Sequence, residues 1–161
     1  YMPVSRPYIP DGRRLAEMIE ADLARVGIRL DLATDEWSVY RAKLQAGEPH
    51  MALFGWTGDN GDPDNFLHVL LGCLAARPGG SNVARWCNPD YDRLVNAAKQ
   101  TSEQARRETL YRQAQGVFRR ELPWVPLAHS VVFMATRSDV TGFVIDPLGR
   151  HLFEGVDVGN N

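Results

Sequence analysis

The first half of the chain alternates short apolar runs with amphipathic segments. Apolar residues at helical spacing predict one helix between an N-capping Asp11 and a stop at Gly27, and a second over 35–46 that Gly47 closes. Alternating or short apolar runs predict three strands around these helices, at 1–5, 28–32 and 51–54. This order indicates a parallel sheet covered by helices, and so an α/β fold. The first helix is expected to bury Leu15, Met18, Ile19, Leu23 and Val26.

The second half of the chain is richer in helix. The pair Asn88 and Pro89 predicts the start of a helix that runs to about Gln100, and a longer helix is predicted from Ser102 to Glu121. Three strand-like pieces follow, at 125–128, 131–136 and 140–145. The buried face of the longer helix is expected to contain Leu110, Ala114, Val117, Phe118 and Leu122.

The composition is that of an ordinary folded domain. Apolar residues make up 44% of the 161 residues and charged residues 24%, so the chain can bury a core. The net charge of −2 argues against a nucleic-acid partner, which normally requires a basic excess. No apolar run approaches the roughly 20 residues of a membrane-spanning helix. The opening residues, Tyr1 to Val4, are not a signal peptide, so we expect any export signal to lie outside this chain.

Two cysteines, Cys73 and Cys87, flank a loop rich in turn-forming residues. The loop contains Pro78 and two glycines and allows the two sulfurs to meet, which would indicate an oxidising compartment. Two unrelated buried thiols fit the sequence equally well, so spacing alone leaves the pairing open. Two cysteines without a histidine at ligand spacing do not make a zinc site, and no metal is expected.

The segment Gly55 to Asn65 is the most unusual stretch of the sequence. It directly follows an apolar strand, and ligands of open α/β sheets lie beyond the carboxyl ends of strands. Its acids, Asp59, Asp62 and Asp64, lack the spacing of a calcium loop and would repel phosphate. Asp62 before Pro63 is typical of a helix start, with paired carboxylates for hydrolysis as the alternative. Asp59 is left as the carboxylate without a local structural role.

Arg6 follows the first predicted strand and is a candidate partner for Asp59. If both side chains enter one crevice, the guanidinium suits a carboxylate and the carboxylate suits an ammonium, so the pair suits a zwitterion. An ordinary surface arginine is the alternative interpretation of Arg6. The aromatic residues Tyr8, Trp37 and Trp56 are candidates to line a pocket, with core positions as the alternative.

Catalytic and cofactor motifs are missing from the sequence. The four histidines lie far apart, and neither Gly-x-Ser-x-Gly nor His-Glu-x-x-His occurs. The sequence therefore predicts a binding protein rather than an enzyme, with no catalytic residue and no cofactor.

Four stretches of the sequence resemble the dipeptide-binding proteins of bacterial ABC importers: 2–8, 55–65, 81–87 and 146–149. Those proteins belong to extracellular solute-binding family 5, the peptide, nickel and oligopeptide group of type II periplasmic binding proteins. The resemblance implies one lobe of a two-lobed α/β fold, with a mixed, mainly parallel sheet flanked by helices. It implies that residues 1–129 form the second, ligand-binding lobe and that residues 130–161 return as strands to a first lobe.

The resemblance also implies residue roles and a function. Asp59 corresponds to the family's ammonium-binding aspartate and Arg6 to its carboxylate-binding arginine, and Cys73 and Cys87 correspond to a family disulfide. The residues expected near the ligand are Gly55, Trp56, Tyr8 and Trp37. The implied function is non-covalent capture of a zwitterionic dipeptide for an inner-membrane ABC permease. Haem, glutathione or a murein tripeptide is the alternative ligand, and a carboxylate-based hydrolase is a remote alternative.

The same resemblance implies a periplasmic location and a monomer at full length. An isolated lobe, deprived of its other lobe, would expose unpaired strand edges and so be prone to self-association.

Overall fold

The computed structural model describes residues 1–159. Five α-helices and two very short strands occur in that part of the chain. The helices are Gly12–Ala24 (α1), Trp37–Ala46 (α2), Asp64–Leu67 (α3), Pro89–Lys99 (α4) and Gln104–Glu121 (α5), and a 3₁₀ turn covers Cys73–Ala75. The strands Val140–Thr141 (β1) and Asp157–Val158 (β2) pair antiparallel. No helix within these residues has the length and apolar character that a membrane span requires.

The helix ends follow local signals in the sequence. The Asp11 carboxylate accepts a hydrogen bond from the Arg14 amide at 2.9 Å and so begins α1. The Asn88 side chain accepts from the Tyr91 amide at 3.0 Å and begins α4. Gly47 ends α2 with a φ of 72°, a left-handed conformation that favours glycine. The four helices predicted from the sequence are confirmed, with ends that shift by a few residues.

Helices α4 and α5 pack together to form the larger core. Tyr91, Val95 and Ala98 on α4 and Ala114 on α5 are each 0% exposed. The Tyr91 hydroxyl donates to the Leu67 carbonyl at 2.7 Å, which ties the end of α3 to this core. We call the buried set the helical core: Leu71, Tyr91, Leu94, Val95, Ala98, Tyr111, Ala114 and Val117.

A smaller core joins α2 to the start of the chain. We call it the α2 core, and its buried members are Met2, Ile9, Tyr40 and Leu44. The Tyr40 hydroxyl donates to the carbonyl of Leu53 at 2.7 Å, which brings the 51–54 segment onto α2. Burial raises the pKa of Tyr40 to about 12, so the hydroxyl keeps its proton and this hydrogen bond over a wider alkaline range than an exposed tyrosine would.

The predicted parallel sheet is not paired within residues 1–159. Of the six predicted strands, only 140–145 contains a strand, the two-residue β1, and the other five form no ladder. A strand needs a neighbouring strand to hydrogen-bond its backbone amides and carbonyls. In these segments the apolar side chains are also exposed, with Met51 60% and Val131 73% exposed. The prediction of hydrogen-bonded strands in these five segments was therefore wrong for this chain.

Two apolar stripes are less buried than the sequence predicted. On α1, Met18 is 59% exposed, whereas Ala16 is buried, and Val26, two residues past the end of α1, is 72% exposed. Leu122 follows the last residue of α5 with a φ of 45° and is 56% exposed. Helical spacing identifies one face of a helix correctly, but burial also requires an element to cover it, and none of the described residues covers these positions.

The two cysteines form a disulfide, with Cα atoms 4.6 Å apart. The structure thus confirms the pairing that the family resemblance implied. The closed loop is organised around the buried Asn82, whose Nδ2 donates to the carbonyls of Gly72 at 3.3 Å and Trp86 at 2.8 Å. The loop is therefore fixed both covalently and by a buried amide.

Arg85 connects the disulfide loop to α2. Its guanidinium donates to the carbonyl of Gln45 at 3.1 Å and to that of Ala46. These carbonyls belong to the last turn of α2, where a cation also complements the helix dipole. A Cβ on Gly47 would lie 2.5 Å from the Arg85 Cζ, so glycine is needed for this approach as well as for the φ angle.

We predict that the double substitution Cys73→Ser and Cys87→Ser lowers the free energy of unfolding by about 3 kcal/mol, as expected for a loop of this size. Urea unfolding measures the loss, and a reducing agent should produce the same shift in the unsubstituted protein. The double variant is its own control because a reductant should leave it unchanged. Equal unfolding midpoints for the two proteins would contradict the prediction.

Candidate ligand-binding site

Arg6 lies in a tight turn near the start of the chain. Its amide and carbonyl exchange hydrogen bonds with those of Ile9, both at 3.0 Å, so the backbone reverses direction between them. The Ile9 side chain is buried in the α2 core and anchors the turn. As a result, the Arg6 side chain is half-buried against α2.

The Arg6 guanidinium packs on Trp37, the first residue of α2. Its Cζ lies 4.8 Å from the centroid of the Trp37 ring, within cation–π range. Trp37 stacks in turn on Tyr40 and Phe54, with centroids 6.1 and 6.3 Å apart. The Arg6 Nε is buried and has no hydrogen-bond partner among residues 1–159. Since a buried donor without an acceptor is costly, this group is suited to receive an acceptor from a ligand.

Arg41 adds a second cation, one helical turn after Trp37. Its Cζ lies 5.9 Å from the same ring centroid. Burial raises the pKa of Tyr8, and the positive charges of Arg6 and Arg41 oppose that rise, so all three groups share one environment. Neither arginine forms an ion pair with a carboxylate in the described part of the chain. We call Arg6, Tyr8, Trp37 and Arg41 the cationic cluster, and its net charge suits an anion.

Tyr8 connects the cationic cluster to the 55–65 loop. A Cβ built on Gly55 would lie 2.3 Å from the Tyr8 Cδ2 and 2.6 Å from its Cε2, so the ring rests directly on the glycine backbone. Gly55 was predicted as a residue near the ligand, and this contact gives it a definite structural role. It sets the distance between the Arg6 turn and the start of the loop.

Asn65 organises the far end of the loop. Its Oδ1 accepts hydrogen bonds from the Trp56 Nε1 at 2.7 Å and from the Asp59 amide at 3.1 Å. Its Nδ2 donates to the Asp59 Oδ2 at 3.0 Å. An amide side chain accepts through its oxygen and donates through its nitrogen, so this set of partners determines which way the amide points. The Asp59 carboxylate is thereby held in place and exposed, and its Oδ1 accepts no hydrogen bond from the described residues.

Asp62 anchors the same loop to the helical core. Its carboxylate receives the Arg107 Nη2 at 2.6 and 2.8 Å, and its Oδ1 also accepts from the Asp64 amide at 2.9 Å at the start of α3. Arg107 lies on α5, with its Cζ 5.4 Å from the ring of Tyr111. Asp62 thus lies at a helix start, but Pro63 rather than Asp62 is the N-cap residue, so the helix begins one residue later than predicted. The ion pair of Asp62 with Arg107 also occupies the second carboxylate that a hydrolase would need.

The described residues contain no group of three His, Cys, Asp or Glu side chains that could hold a metal ion. What the site offers is one oriented carboxylate, two cations and several aromatic faces. Such groups can bind charged ligand ends.

The six predicted ligand-binding residues fall into two groups that are each connected by contacts, one of four residues and one of two. Arg6, Tyr8, Trp37 and Gly55 form one group. Trp56 and Asp59 are joined through Asn65. Sequence reasoning did not single out Arg41, Asn65 or Arg107. Arg41 follows Trp37 by four positions on a predicted helix, a spacing that places side chains together and could have identified it, whereas Asn65 and Arg107 gave no comparable local signal.

Comparisons with known proteins indicate the family that this chain resembles. Residues 5–77 match the family described as bacterial extracellular solute-binding proteins, family 5 Middle. The dipeptide-binding protein of Pseudomonas aeruginosa is 48% identical over 155 residues, which are 96% of this chain and 29% of that protein. Heme-binding protein A of Haemophilus influenzae is 44% identical over 156 residues, which are 97% of this chain and 28% of that protein. The chain thus spans less than a third of the length of the curated relatives it matches.

Solved structures match over nearly the whole chain. HbpA2 from Haemophilus parasuis has a TM-score of 0.88 and 37% identity, and the match spans 98% of this chain and 31% of the HbpA2 chain. The dipeptide binding protein from Pseudoalteromonas sp. SM9913, in complex with Met-Leu, has a TM-score of 0.84 and 35% identity, with the same coverage. The fold is therefore that of one part of an α/β solute-binding protein. The chain is a relative of the bacterial extracellular solute-binding proteins of family 5, which confirms the resemblance read from the sequence.

We predict that Gly55→Ala lowers the free energy of unfolding by about 1–3 kcal/mol, because the added methyl group overlaps the Tyr8 ring. Gly58→Ala is the matched control, since its Cβ would meet only the edge of the Phe66 ring at 3.1 Å. Urea unfolding of both variants measures the difference. A loss for Gly58→Ala as large as that for Gly55→Ala would show that the Tyr8 contact is not responsible.

Proposed function

We propose that this chain forms the peptide-binding part of a solute-binding protein that supplies an ABC importer. It binds dipeptides non-covalently and leaves the peptide unmodified. The observation that carries this proposal is the buried, unpartnered Nε of Arg6 in the cationic cluster, beside a loop that presents the Asn65-oriented carboxylate of Asp59. The relatives with dipeptide-binding names and the neighbour in complex with Met-Leu support the same ligand class.

The carboxylate end of the peptide binds to Arg6 in this proposal. A guanidinium matches a carboxylate with two parallel hydrogen bonds, and packing on Trp37 holds the group in place for them. Binding would also supply an acceptor to the Nε that the described residues leave unsatisfied. Lysine at this position would keep the charge but lose the planar match.

The ammonium end of the peptide binds to Asp59. Asn65 holds one oxygen of the carboxylate and leaves the other for the ligand. Because Asp59 is already fixed, little side-chain freedom is lost when the ammonium arrives, and that favours binding. Two opposite charges at fixed positions select a ligand by length as well as by charge.

The two charged ends do not supply the whole affinity. Hydrogen bonds that involve a charged group contribute about 1.5–3 kcal/mol each, whereas micromolar binding needs about 8 kcal/mol. The remainder would come from backbone hydrogen bonds and from a second lobe that closes over the peptide and excludes water.

We also propose that residues 1–129 form the ligand-binding lobe and that residues 130–161 return to a first lobe, in a periplasmic protein that delivers its peptide to a membrane permease. The large exposed apolar side chains support this division. Phe133 is 87% and Phe153 is 69% exposed, and such surfaces are normally covered.

Haem is the second candidate ligand, because Heme-binding protein A is 44% identical to this chain. The site itself distinguishes the two ligands. Haem has carboxylates that Arg6 and Arg41 could bind but no ammonium for Asp59, so the Asn65–Asp59 arrangement favours a peptide.

We predict that Asp59→Asn weakens dipeptide binding by roughly 10- to 100-fold, the loss expected for one charge-assisted hydrogen bond. Asn65→Ala should act in the same direction with a smaller effect, because it frees the carboxylate without removing it. Isothermal titration calorimetry with Ala-Leu, on the full-length product of the gene that encodes this chain, measures both.

Two controls make the Asp59 test specific. Asp31→Asn removes an exposed carboxylate elsewhere and should leave binding unchanged. N-acetyl-Ala-Leu lacks the ammonium, so it should bind weakly to the unsubstituted protein and no more weakly to Asp59→Asn. Undiminished binding of Ala-Leu by Asp59→Asn, or tight haem binding with no dipeptide binding, would refute the proposal.

We predict that the backbone amides of 131–136 exchange hydrogen slowly in the full-length protein and rapidly in the isolated chain, since these residues form no ladder here. Hydrogen–deuterium exchange with mass spectrometry compares the two. The amides of 108–118 in α5 are the internal control and should be protected in both proteins. Fast exchange of 131–136 in both proteins would argue against the proposed return to a first lobe.

A further inference from the structure

A small cavity adjoins the cationic cluster on its α2 side. It has a volume of about 80 Å³ and is lined by Arg41, Leu44, Gln45, Phe54, Trp56 and Ser81. A single water needs only about 10–15 Å³, so the cavity has room for a short side chain. Phe54 packs on Trp37, and Trp56 is hydrogen-bonded to Asn65, so the cavity lies between the two groups that we propose to hold the peptide ends.

The wall of the cavity is apolar in one part and polar in another. Leu44 and Phe54 present hydrocarbon, whereas Arg41, Gln45 and Ser81 present hydrogen-bonding side chains. This combination fits a side chain that has one or two methylene groups and a polar end. The guanidinium of Arg41 makes a carboxylate the best-matched end.

The charge of Arg41 has no counterpart in the described residues. The two acids just before α2 are already engaged: Asp35 binds Lys43 at 2.8 Å, and Glu36 accepts the Ser38 amide at 2.8 Å as the helix cap. A dipeptide carboxylate at Arg6 supplies one negative charge to a cluster that has two guanidinium groups. Arg41 is exposed, so a peptide with a neutral side chain would leave its guanidinium with water instead of a carboxylate as its partner.

We propose that Arg41 and this cavity form a subsite for an acidic side chain on the C-terminal residue of the peptide. The C-terminal residue is indicated because Arg41 shares Trp37 and Tyr8 with Arg6, which binds the carboxylate end. This inference rests on the proposed dipeptide function and specifies the preferred substrates. An arginine that merely packs on Trp37 at the surface would give no such preference.

Calorimetry with Ala-Glu and Ala-Gln tests the subsite, because the two peptides match in shape and differ in one charge. We expect the full-length protein to bind Ala-Glu roughly 3- to 10-fold more tightly, as suits a partly exposed ion pair. In Arg41→Met, which keeps the hydrocarbon stem, the ratio of the two affinities should fall to about 1, whatever change the lost charge makes to the binding of both peptides alike. Arg41→Lys should restore part of the preference.

Arg29→Met is the matched control, since it removes another exposed arginine outside the cavity and should preserve the preference. Thermal unfolding checks that each variant is folded. Equal affinity for Ala-Glu and Ala-Gln in the unsubstituted protein, or an unchanged ratio in Arg41→Met, would overturn the subsite but leave dipeptide binding intact. If neither peptide binds to the unsubstituted protein, the proposed function fails and the subsite fails with it.

Discussion

The ion pair between Arg107 and Asp62 connects the acidic loop to the folded interior, and the geometry of the site depends on it. Arg107 lies on α5, and its Nη1 donates to the carbonyls of Ala98 at 3.1 Å and Thr101 at 3.4 Å. These bonds fix the guanidinium relative to the helical core. Asp62 fixes the start of α3, and α3 carries the Asn65 side chain that orients the proposed ammonium-binding carboxylate. With side chains 22% and 40% exposed, the pair is shielded enough to act as an anchor.

The two ends of the proposed site are built on different principles. The carboxylate of Asp59 is held by hydrogen bonds within one short loop, so its position depends on local geometry. The guanidinium of Arg6 is held by an aromatic face on α2, and α2 is in turn fixed at its far end by Arg85 from the disulfide loop. The distance between the two ends therefore depends on how the α2 core and the helical core are joined. The contact between Tyr8 and Gly55 brings the start of the loop close to the Arg6 turn on the α2 side.

What the sequence could predict was set by the range of the interactions involved. Helix ends depend on neighbours a few residues away, and the caps at Asp11, Gly47 and Asn88 were predicted correctly. Strand pairing depends on distant segments, and most predicted strands have no partner among the described residues. Within the site, the charged residues were recognised by chemical type and by resemblance to a family. The role of Asn65 could not be predicted, because it arises only when α3 folds back on the loop.

Covering the site with a second surface would raise its affinity for a peptide. Asp59 is exposed in this chain, and so are the apolar side chains of Phe133 and Phe153. An exposed ion pair contributes only about 0–1 kcal/mol, whereas a hydrogen bond to a charged group that is shielded from water contributes about 1.5–3 kcal/mol. The affinity of Arg6 and Asp59 for the two peptide ends therefore becomes several-fold to a hundred-fold higher when a second surface covers them. That surface needs no charge of its own, because the ammonium and the carboxylate of a dipeptide already have partners in the proposed site. Apolar groups and backbone amides suffice to cover it, and these tolerate many side chains, so discrimination between peptides falls to the few charged residues within this chain.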